Sequence, residues 1–230
     1  MLMTLASVSQ TRGVDVAAGP VTLHGDLNLP EDTRGVVLFA HGSGSGRQSP
    51  RNRRVARLLN EAGLGTLLID LLTREEEVID LCTAHLRFDI NLLAERVVRA
   101  ADWLTQCPST QHLPIGCFGA STGAAAALVA AAERPDVVGA VVSRGGRPDL
   151  AGPALAHVEA PTLLIVGGND HPVIDLNRTA LAQLRCEKQL VVVPGATHLF
   201  EEPGALDEVA RLAREWFERH LIRVPAGTRG

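Results

Sequence analysis

A serine between two glycines stands where a buried strand would run into a helix. Residues 119–123 read Gly-Ala-Ser-Thr-Gly and match the pattern G-x-S-x-G, with Ser121 at the centre. The apolar residues before them predict a strand, and the alanine-rich residues after them predict a helix. A serine on such a strand-to-helix turn exposes its hydroxyl above the sheet, where it can attack a carbonyl carbon. We interpret Ser121 as a candidate nucleophile; the alternative is a glycine-rich turn that only packs the helix on the strand.

A serine hydroxyl needs a base to take its proton and a third group to orient that base. Two later loops contain suitable residues: Asp170 follows the apolar run 162–167, and His198 follows the run 190–193. With Ser121, both lie at the predicted carboxyl ends of strands, where open α/β sheets bind their ligands. Alone, Asp170 also fits a helix cap and His198 a loop hydrogen bond. The three together favour a catalytic triad.

A glycine-rich segment could supply backbone donors to an oxyanion. Residues 39–46 read Phe-Ala-His-Gly-Ser-Gly-Ser-Gly and follow the predicted strand 35–40. We predict that the N–H groups of Ser43 and Thr122 form an oxyanion hole, in which each donor contributes about 3–4 kcal/mol. A phosphate-binding loop is the competing interpretation. It fails because Arg47 stands where G-x-G-x-x-G needs its third glycine, and no G-x-x-x-x-G-K-[ST] occurs.

Arginines are concentrated near these loops. Of the 22 basic residues only Lys188 is a lysine, and five arginines lie in residues 47–57. Arg144 and Arg147 follow another predicted strand and should face the same rim. One interpretation is a solvated surface with internal ion pairs, the ordinary role of such charges. The other is a basic mouth that binds an anionic small-molecule ester, with Arg47, Arg144 and Arg147 as candidate substrate-binding residues.

Short apolar runs alternate with helical patterns along the chain and must position these residues. The predicted strands are 21–29, 35–40, 66–70, 114–119, 138–143, 162–167 and 190–193. The predicted helices are 50–62, 89–104, 121–134, 175–184 and 203–221. This alternation predicts an α/β fold with a doubly wound, mostly parallel sheet flanked by helices. Residues 73–87 are long for a connection, and we expect a helical turn over the sheet edge, like a partial lid.

Length and composition limit the class of protein. A chain of 230 residues predicts a single domain over 1–230, with a loose tail from about residue 223. A net charge of −4 argues against a general nucleic-acid binder. Four scattered cysteines, no signal-like N-terminus and no long apolar run predict a cytoplasmic protein without membrane partners. The histidine spacing suggests no metal site, we expect no cofactor, and the oligomeric state is not indicated.

Four stretches of the chain resemble the α/β-hydrolase superfamily and, within it, the dienelactone hydrolase-like family. They are FAHGSGSGR, PIGCFGASTG, LLIVGGND and PGATHLF, and the resemblance covers about residues 20–221. It implies a sheet of about eight strands and cofactor-free hydrolysis of a carboxylester, lactone or thioester. It also implies Ser121 as nucleophile, His198 as base and Asp170 as orienter, in the chain order of that superfamily. Dienelactone hydrolases proper use a cysteine nucleophile, whereas this chain has a serine.

Two alternatives stay open at this point. An acyltransferase or perhydrolase would use the same triad and pass the acyl group to an acceptor other than water. A non-catalytic binding module would keep only the scaffold, because a fold alone does not establish an activity. A complete set of nucleophile, base, orienter and oxyanion donors argues against the second alternative.

Overall fold

The computed structural model describes residues 11–222, so the tail expected from residue 223 lies outside the described residues. The strands are β1 (Arg12–Ala18), β2 (Val21–Asn28), β3 (Val36–Ala40), β4 (Gly65–Ile69), β5 (Ile115–Ala120), β6 (Val138–Arg144), β7 (Thr162–Gly167) and β8 (Lys188–Val193). The α-helices are α1 (Pro50–Glu61), α2 (Arg74–Thr83), α3 (Ile90–Gln106), α4 (Thr122–Glu133), α5 (His171–Gln183) and α6 (Ala205–Leu221). Two short 3-10 segments cover Leu86–Phe88 and Pro148–His157.

One sheet contains all eight strands, in the order β1-β2-β4-β3-β5-β6-β7-β8. The strands β4, β3, β5, β6, β7 and β8 run parallel, while β2 is antiparallel to both β1 and β4. Every residue of β3, β4, β5 and β7 is buried, because helices cover both faces of the sheet there. The predicted doubly wound, mostly parallel sheet is therefore confirmed. The edge strand β1 was not predicted from the pattern.

Helices form a layer on each face of the sheet. Apolar side chains of α1 and α6 join one core cluster, which includes Val55, Leu59 and Phe217. Those of α3, α4 and α5 join the cluster on the other face, which includes Val97 and Leu128. This arrangement holds the parallel strands rigidly, so their carboxyl ends have fixed relative positions.

The helix beginnings near the candidate site follow ordinary capping chemistry. Ser49 and Asp89 accept hydrogen bonds from the first turns of α1 and α3, whose starts lie within one residue of the predicted ones. In the segment 73–87, Thr73 and Glu76 form a reciprocal capping box that starts α2, so the expected helical turn is confirmed. Helix α5 begins at His171, four positions before the predicted start. Pro172 fits there because a proline is tolerated in the first helical turn.

The helices described here do not cross a bilayer. Within residues 11–222, none combines the length and the apolar composition that a membrane span requires.

Candidate active site

The turn at Ser121 has the geometry of a nucleophile elbow. Ser121 joins β5 to α4 and has φ 50° and ψ −123°, in the left-handed half of backbone space. The flanking glycines are needed because the backbone of the helix comes too close to the strands here to leave room for a Cβ. A Cβ at Gly119 would lie within 3.0 Å of Ala124, and one at Gly123 within 3.0 Å of the Ala40 carbonyl oxygen. The helix thus begins tightly against the sheet and leaves Ser121 at the tip of the turn.

Asp170 and His198 are hydrogen-bonded to each other. The Nδ1–H of His198 donates to the Oδ2 of Asp170 at 2.7 Å. Asp170 occupies the N-cap position of α5, yet its side chain makes no capping hydrogen bond. The carboxylate is directed to the imidazole instead, which answers the alternative that Asp170 is only a helix cap. With the proton fixed on Nδ1, the Nε2 of His198 is left as a hydrogen-bond acceptor.

A small cavity brings the serine and the histidine together. Ser121 and His198 both line a space of about 190 Å³, together with Ser43 and Arg144. Within residues 11–222, no hydrogen bond joins the Ser121 hydroxyl to the imidazole. Such contacts are often long in the absence of substrate and shorten when a substrate binds. The three predicted residues therefore converge at one edge of the sheet, at the ends of β5, β7 and β8.

The predicted oxyanion donors lie beside Ser121. Thr122 is the next residue in the chain, and Ser43 lies in the loop 42–46 after β3. This loop approaches the nucleophile closely, since a Cβ at Gly42 would lie 2.9 Å from the Cβ of Ser121. In the described part of the chain, neither the Ser43 nor the Thr122 amide donates a hydrogen bond to another protein group. Both N–H groups are therefore available to a ligand oxygen.

His41 and Asp70 connect the loop 42–46 to the end of β4 through hydrogen bonds. This role of Asp70 was not predicted from the sequence. The buried His41 accepts a hydrogen bond from the Leu71 N–H at 2.9 Å and donates one to the Gly42 carbonyl at 2.9 Å. Burial lowers the pKa of His41, although the bond to Gly42 opposes the shift. Asp70 accepts from the Arg47 backbone N–H at 2.7 Å. The loop is thus held in place before any substrate arrives.

Two of the three candidate substrate-binding arginines are paired internally. Arg47 forms an ion pair with Asp70, and its Nε lies 3.5 Å from Asp26. Arg147 donates two hydrogen bonds to Asp149, at 2.9 and 2.8 Å. Both guanidinium groups contact carboxylates of the protein, as the ion-pair interpretation of these arginines predicts. Nothing in their contacts directs them towards a substrate.

Arg144 is placed differently, at the end of β6 and in the wall of the cavity that holds Ser121. Its side chain is buried, with 6% of the residue exposed. Its hydrogen bonds are two long ones, to the Leu199 carbonyl and to the Asn52 side-chain oxygen, each at 3.4 Å. Burial, with the nearby charge of Arg51, lowers the pKa of Arg144 to about 10. The guanidinium therefore stays charged at neutral pH.

A second, larger cavity of about 500 Å³ is lined by the same loop and shares Gly42, Ser43 and Ser45 with the first. Apolar side chains of Leu72, Leu81 and Leu93 line it, together with Glu77 of α2. Burial raises the pKa of Glu77, and the charge of Asp70 acts in the same direction. Helix α2 therefore forms one wall of this cavity. That residues 73–87 act as a partial lid stays a prediction.

Over residues 11–222, no three histidine, cysteine, aspartate or glutamate side chains are grouped so that they could hold a metal ion.

Comparison with known proteins agrees with this fold. The family described as the dienelactone hydrolase family matches residues 23–221. The crystal structure of a dienelactone hydrolase from Anabaena variabilis is 66% identical, with a TM-score of 0.91 over 93% of this chain and 99% of that one. Est1E from Butyrivibrio proteoclasticus shares the α/β-hydrolase fold, with 16% identity and a TM-score of 0.74 over 90% of this chain and 98% of its own.

A curated relative is considerably longer than this chain. It is a protein of Mycobacterium tuberculosis (strain CDC 1551 / Oshkosh) that bears the name "Putative phosphoribosyl transferase". The two are 60% identical over 208 residues, which make up 90% of this chain and 46% of the relative. The chain thus spans about half the length of the curated relatives that it matches. From the family match over residues 23–221, we conclude that the chain belongs to the dienelactone hydrolase family.

Proposed function

We propose that this protein is a serine hydrolase that cleaves an ester-like bond of a small molecule through an acyl-enzyme. The observation that carries the proposal is the hydrogen bond of 2.7 Å between His198 and Asp170, in a cavity wall shared with the strained Ser121. A half-buried carboxylate that fixes an imidazole, beside a half-buried serine on a sharp turn, is the arrangement that activates a serine hydroxyl.

In the first half of the reaction, the Ser121 oxygen forms a bond to the carbonyl carbon while His198 Nε2 takes the hydroxyl proton. The carbonyl π electrons move to the oxygen, whose negative charge accepts hydrogen bonds from the Ser43 and Thr122 amides. Asp170 stabilises the imidazolium without taking its proton. The bond to the leaving group then breaks as that group receives the proton from His198, and the acyl group remains on Ser121.

In the second half, a water molecule replaces the alcohol. His198 removes one proton from the water as its oxygen attacks the acyl carbon, and the same two amides stabilise the second oxyanion. When the bond to Ser121 breaks, His198 returns the proton to the serine oxygen. The products are a carboxylic acid and the free enzyme. Release of the acyl group to another acceptor would follow the same proton transfers.

The family membership supports this proposal, and so does the 66% identity to the Anabaena variabilis dienelactone hydrolase. The name of the mycobacterial relative describes a protein of which this chain covers 46%. The residues that converge in this chain are a serine, a histidine and an aspartate, which is the set for acyl transfer. Hydrolysis is therefore the activity to test first.

The test is labelling with a fluorophosphonate, followed by mapping of the adduct by mass spectrometry. We expect the label on Ser121, and hydrolysis of short-chain 4-nitrophenyl esters that Ser121→Ala abolishes. Ser109→Ala, in the loop after α3 and away from both cavities, is the matched control and should keep the label and the activity. Ester hydrolysis that survives in Ser121→Ala would refute the proposal.

A further inference from the structure

The loop 144–147 after β6 is hydrogen-bonded to the backbone of the candidate nucleophile on both sides. The Ser121 N–H donates to the Arg144 carbonyl at 3.4 Å, and the Arg147 N–H donates to the Ser121 carbonyl at 3.1 Å. These bonds hold the peptide groups before and after Ser121, where the backbone has its unusual φ and ψ. The position of Ser121 therefore depends on where this loop lies.

The same loop lies against the candidate base. Gly145 has φ 51°, and a Cβ there would lie 2.9 Å from the His198 carbonyl oxygen and 3.6 Å from the His198 Nδ1. That nitrogen is the atom which is bonded to Asp170. A glycine is required because only a residue without a side chain permits this φ together with so close a contact. One short loop thus contacts both the nucleophile and the base.

The side chain of Asn177, in α5, holds this loop from the side of the third triad residue. Its Nδ2 donates to the Gly146 carbonyl at 3.0 Å and to the Val173 carbonyl at 2.8 Å. Both partners are carbonyl oxygens, so the side chain faces them with its NH₂ group. Helix α5 begins directly after Asp170. Asn177 therefore connects the helix that starts at the orienter to the loop that contacts Ser121 and His198.

The burial of Asn177 indicates that an amide is needed at this position. The residue is 0% exposed, and the other buried residues of α5 are Val173, Ile174 and Ala180. A buried polar group costs stability unless hydrogen bonds compensate for it, and the Asn177 Oδ1 has no partner within residues 11–222. An apolar residue would pack here without that cost. What it would not supply is the hydrogen bond to Gly146.

We propose that Asn177 is a positioning residue, which fixes the loop 144–147 and, through it, the distance between the Ser121 hydroxyl and the His198 imidazole. In the described part of the chain it lines neither of the two cavities at the site. Its effect on the rate comes from geometry, since a displacement of about 1 Å between reacting groups can cost roughly 10²-fold. This inference rests on the proposed function, because it concerns the same triad. The competing explanation is that Asn177 only stabilises the packing of α5.

The first test is steady-state hydrolysis of 4-nitrophenyl butanoate by Asn177→Ser. A serine can still bond the Val173 carbonyl, four positions earlier, but its side chain is one bond shorter, so the bond to Gly146 is lost. We expect kcat to fall about 10- to 100-fold with KM nearly unchanged, because both half-reactions use the same pair of side chains. Thr110→Val is the matched control. It removes a buried hydrogen bond to the Leu104 carbonyl, in the loop that precedes β5, and should lower the thermal midpoint without changing kcat.

The second test requires no turnover, so it separates this inference from the proposed function. Amide hydrogen exchange is followed by NMR at Gly145 and Arg147, whose N–H groups are bonded to the carbonyls of Ile165 and Ser121. The buried amides of β3 report the global stability for comparison. Relative to them, we expect Gly145 and Arg147 to exchange about 10-fold faster in Asn177→Ser than in the wild type, and at the wild-type rate in Thr110→Val.

The two measurements decide between the positioning role and a role in stability alone. Faster exchange in the loop supports the inference even if ester hydrolysis proves not to depend on Ser121. Unchanged exchange overturns it, even in a protein that hydrolyses esters through Ser121. A wild-type kcat in Asn177→Ser also overturns it, because a residue that only stabilises α5 would lower the thermal midpoint and leave the folded enzyme equally active.

Discussion

The backbone at Ser121 is conformationally strained. We expect that a glycine at this position relieves the strain and raises the free energy of unfolding, while it abolishes the activity. At φ 50° and ψ −123°, a residue with a Cβ is held in a sparsely populated region, at a cost of about 1–3 kcal/mol. Ser121→Gly removes that cost but adds about 0.5–1 kcal/mol of unfolded-chain entropy. Ser121→Ala keeps the strain. The glycine variant should therefore exceed the alanine variant in free energy of unfolding by about 1 kcal/mol.

Urea denaturation of the two inactive variants measures this difference, and thermal unfolding should show it as a shift of about 2–4 °C for a chain of this size. Ala132→Gly, within α4 and not among the residues with positive φ, is the control substitution. There the same loss of a Cβ should destabilise the protein by about 1 kcal/mol. If Ser121→Gly proves no more stable than Ser121→Ala, the assignment of strain to this turn is wrong.

Three further predictions concern the groups around the nucleophile. Gly123→Ala would place a Cβ within 3.0 Å of the Ala40 carbonyl oxygen, so we expect a loss of about 1–3 kcal/mol in urea denaturation together with reduced kcat. Asp170→Asn should lower kcat by about 10⁴-fold in steady-state kinetics and leave the fold intact, because the amide no longer fixes the imidazole tautomer. Burial lowers the pKa of His41 in the folded protein, so between pH 6.5 and that lowered pKa the unfolded chain binds a proton that the folded protein does not. The free energy of unfolding should therefore fall below pH 6.5, by up to about 1.4 kcal/mol per pH unit, and less steeply in His41→Gln. Equal slopes in the two proteins would contradict this account.

Much of the fold was predictable because it depends on local patterns. Six continuous apolar runs and one alternating segment, residues 21–29, predicted seven of the eight strands. Residues near the carboxyl ends of three of them, Ser121, Asp170 and His198, were expected to lie close together. Ser49 and Asp89 cap helices where the sequence placed them, since capping depends on a few neighbouring residues. The strand β1, with the sequence RGVDVAA, gave too polar a pattern to be distinguished from a loop.

The charged groups were less predictable, because their partners are distant in the chain. Asp70 follows Arg47 by 23 positions, and only the sheet brings them together. The local sequence equally favoured a substrate-binding role for Arg47, which its ion pair does not support. Arg144 has no carboxylate partner among residues 11–222, and its contacts come from α1, through Asn52, and from the loop after β8, through Leu199. Whether an arginine meets a carboxylate is decided by the packing of remote segments, which spacing does not show.

Helix α2 and the predicted triad belong to different parts of the chain, and this separation has an evolutionary consequence. The triad residues lie at the ends of β5, β7 and β8, whereas α2 is inserted between β4 and α3. Its side chains Val78, Ile79 and Leu81 are largely exposed, so the core constrains them little. Leu81 is the one of these three that lines the larger cavity, so a substitution at Leu81 changes that cavity at a position remote in sequence from the turn at Ser121. This helix is where the lineage could acquire new substrates while it inherits the same chemistry.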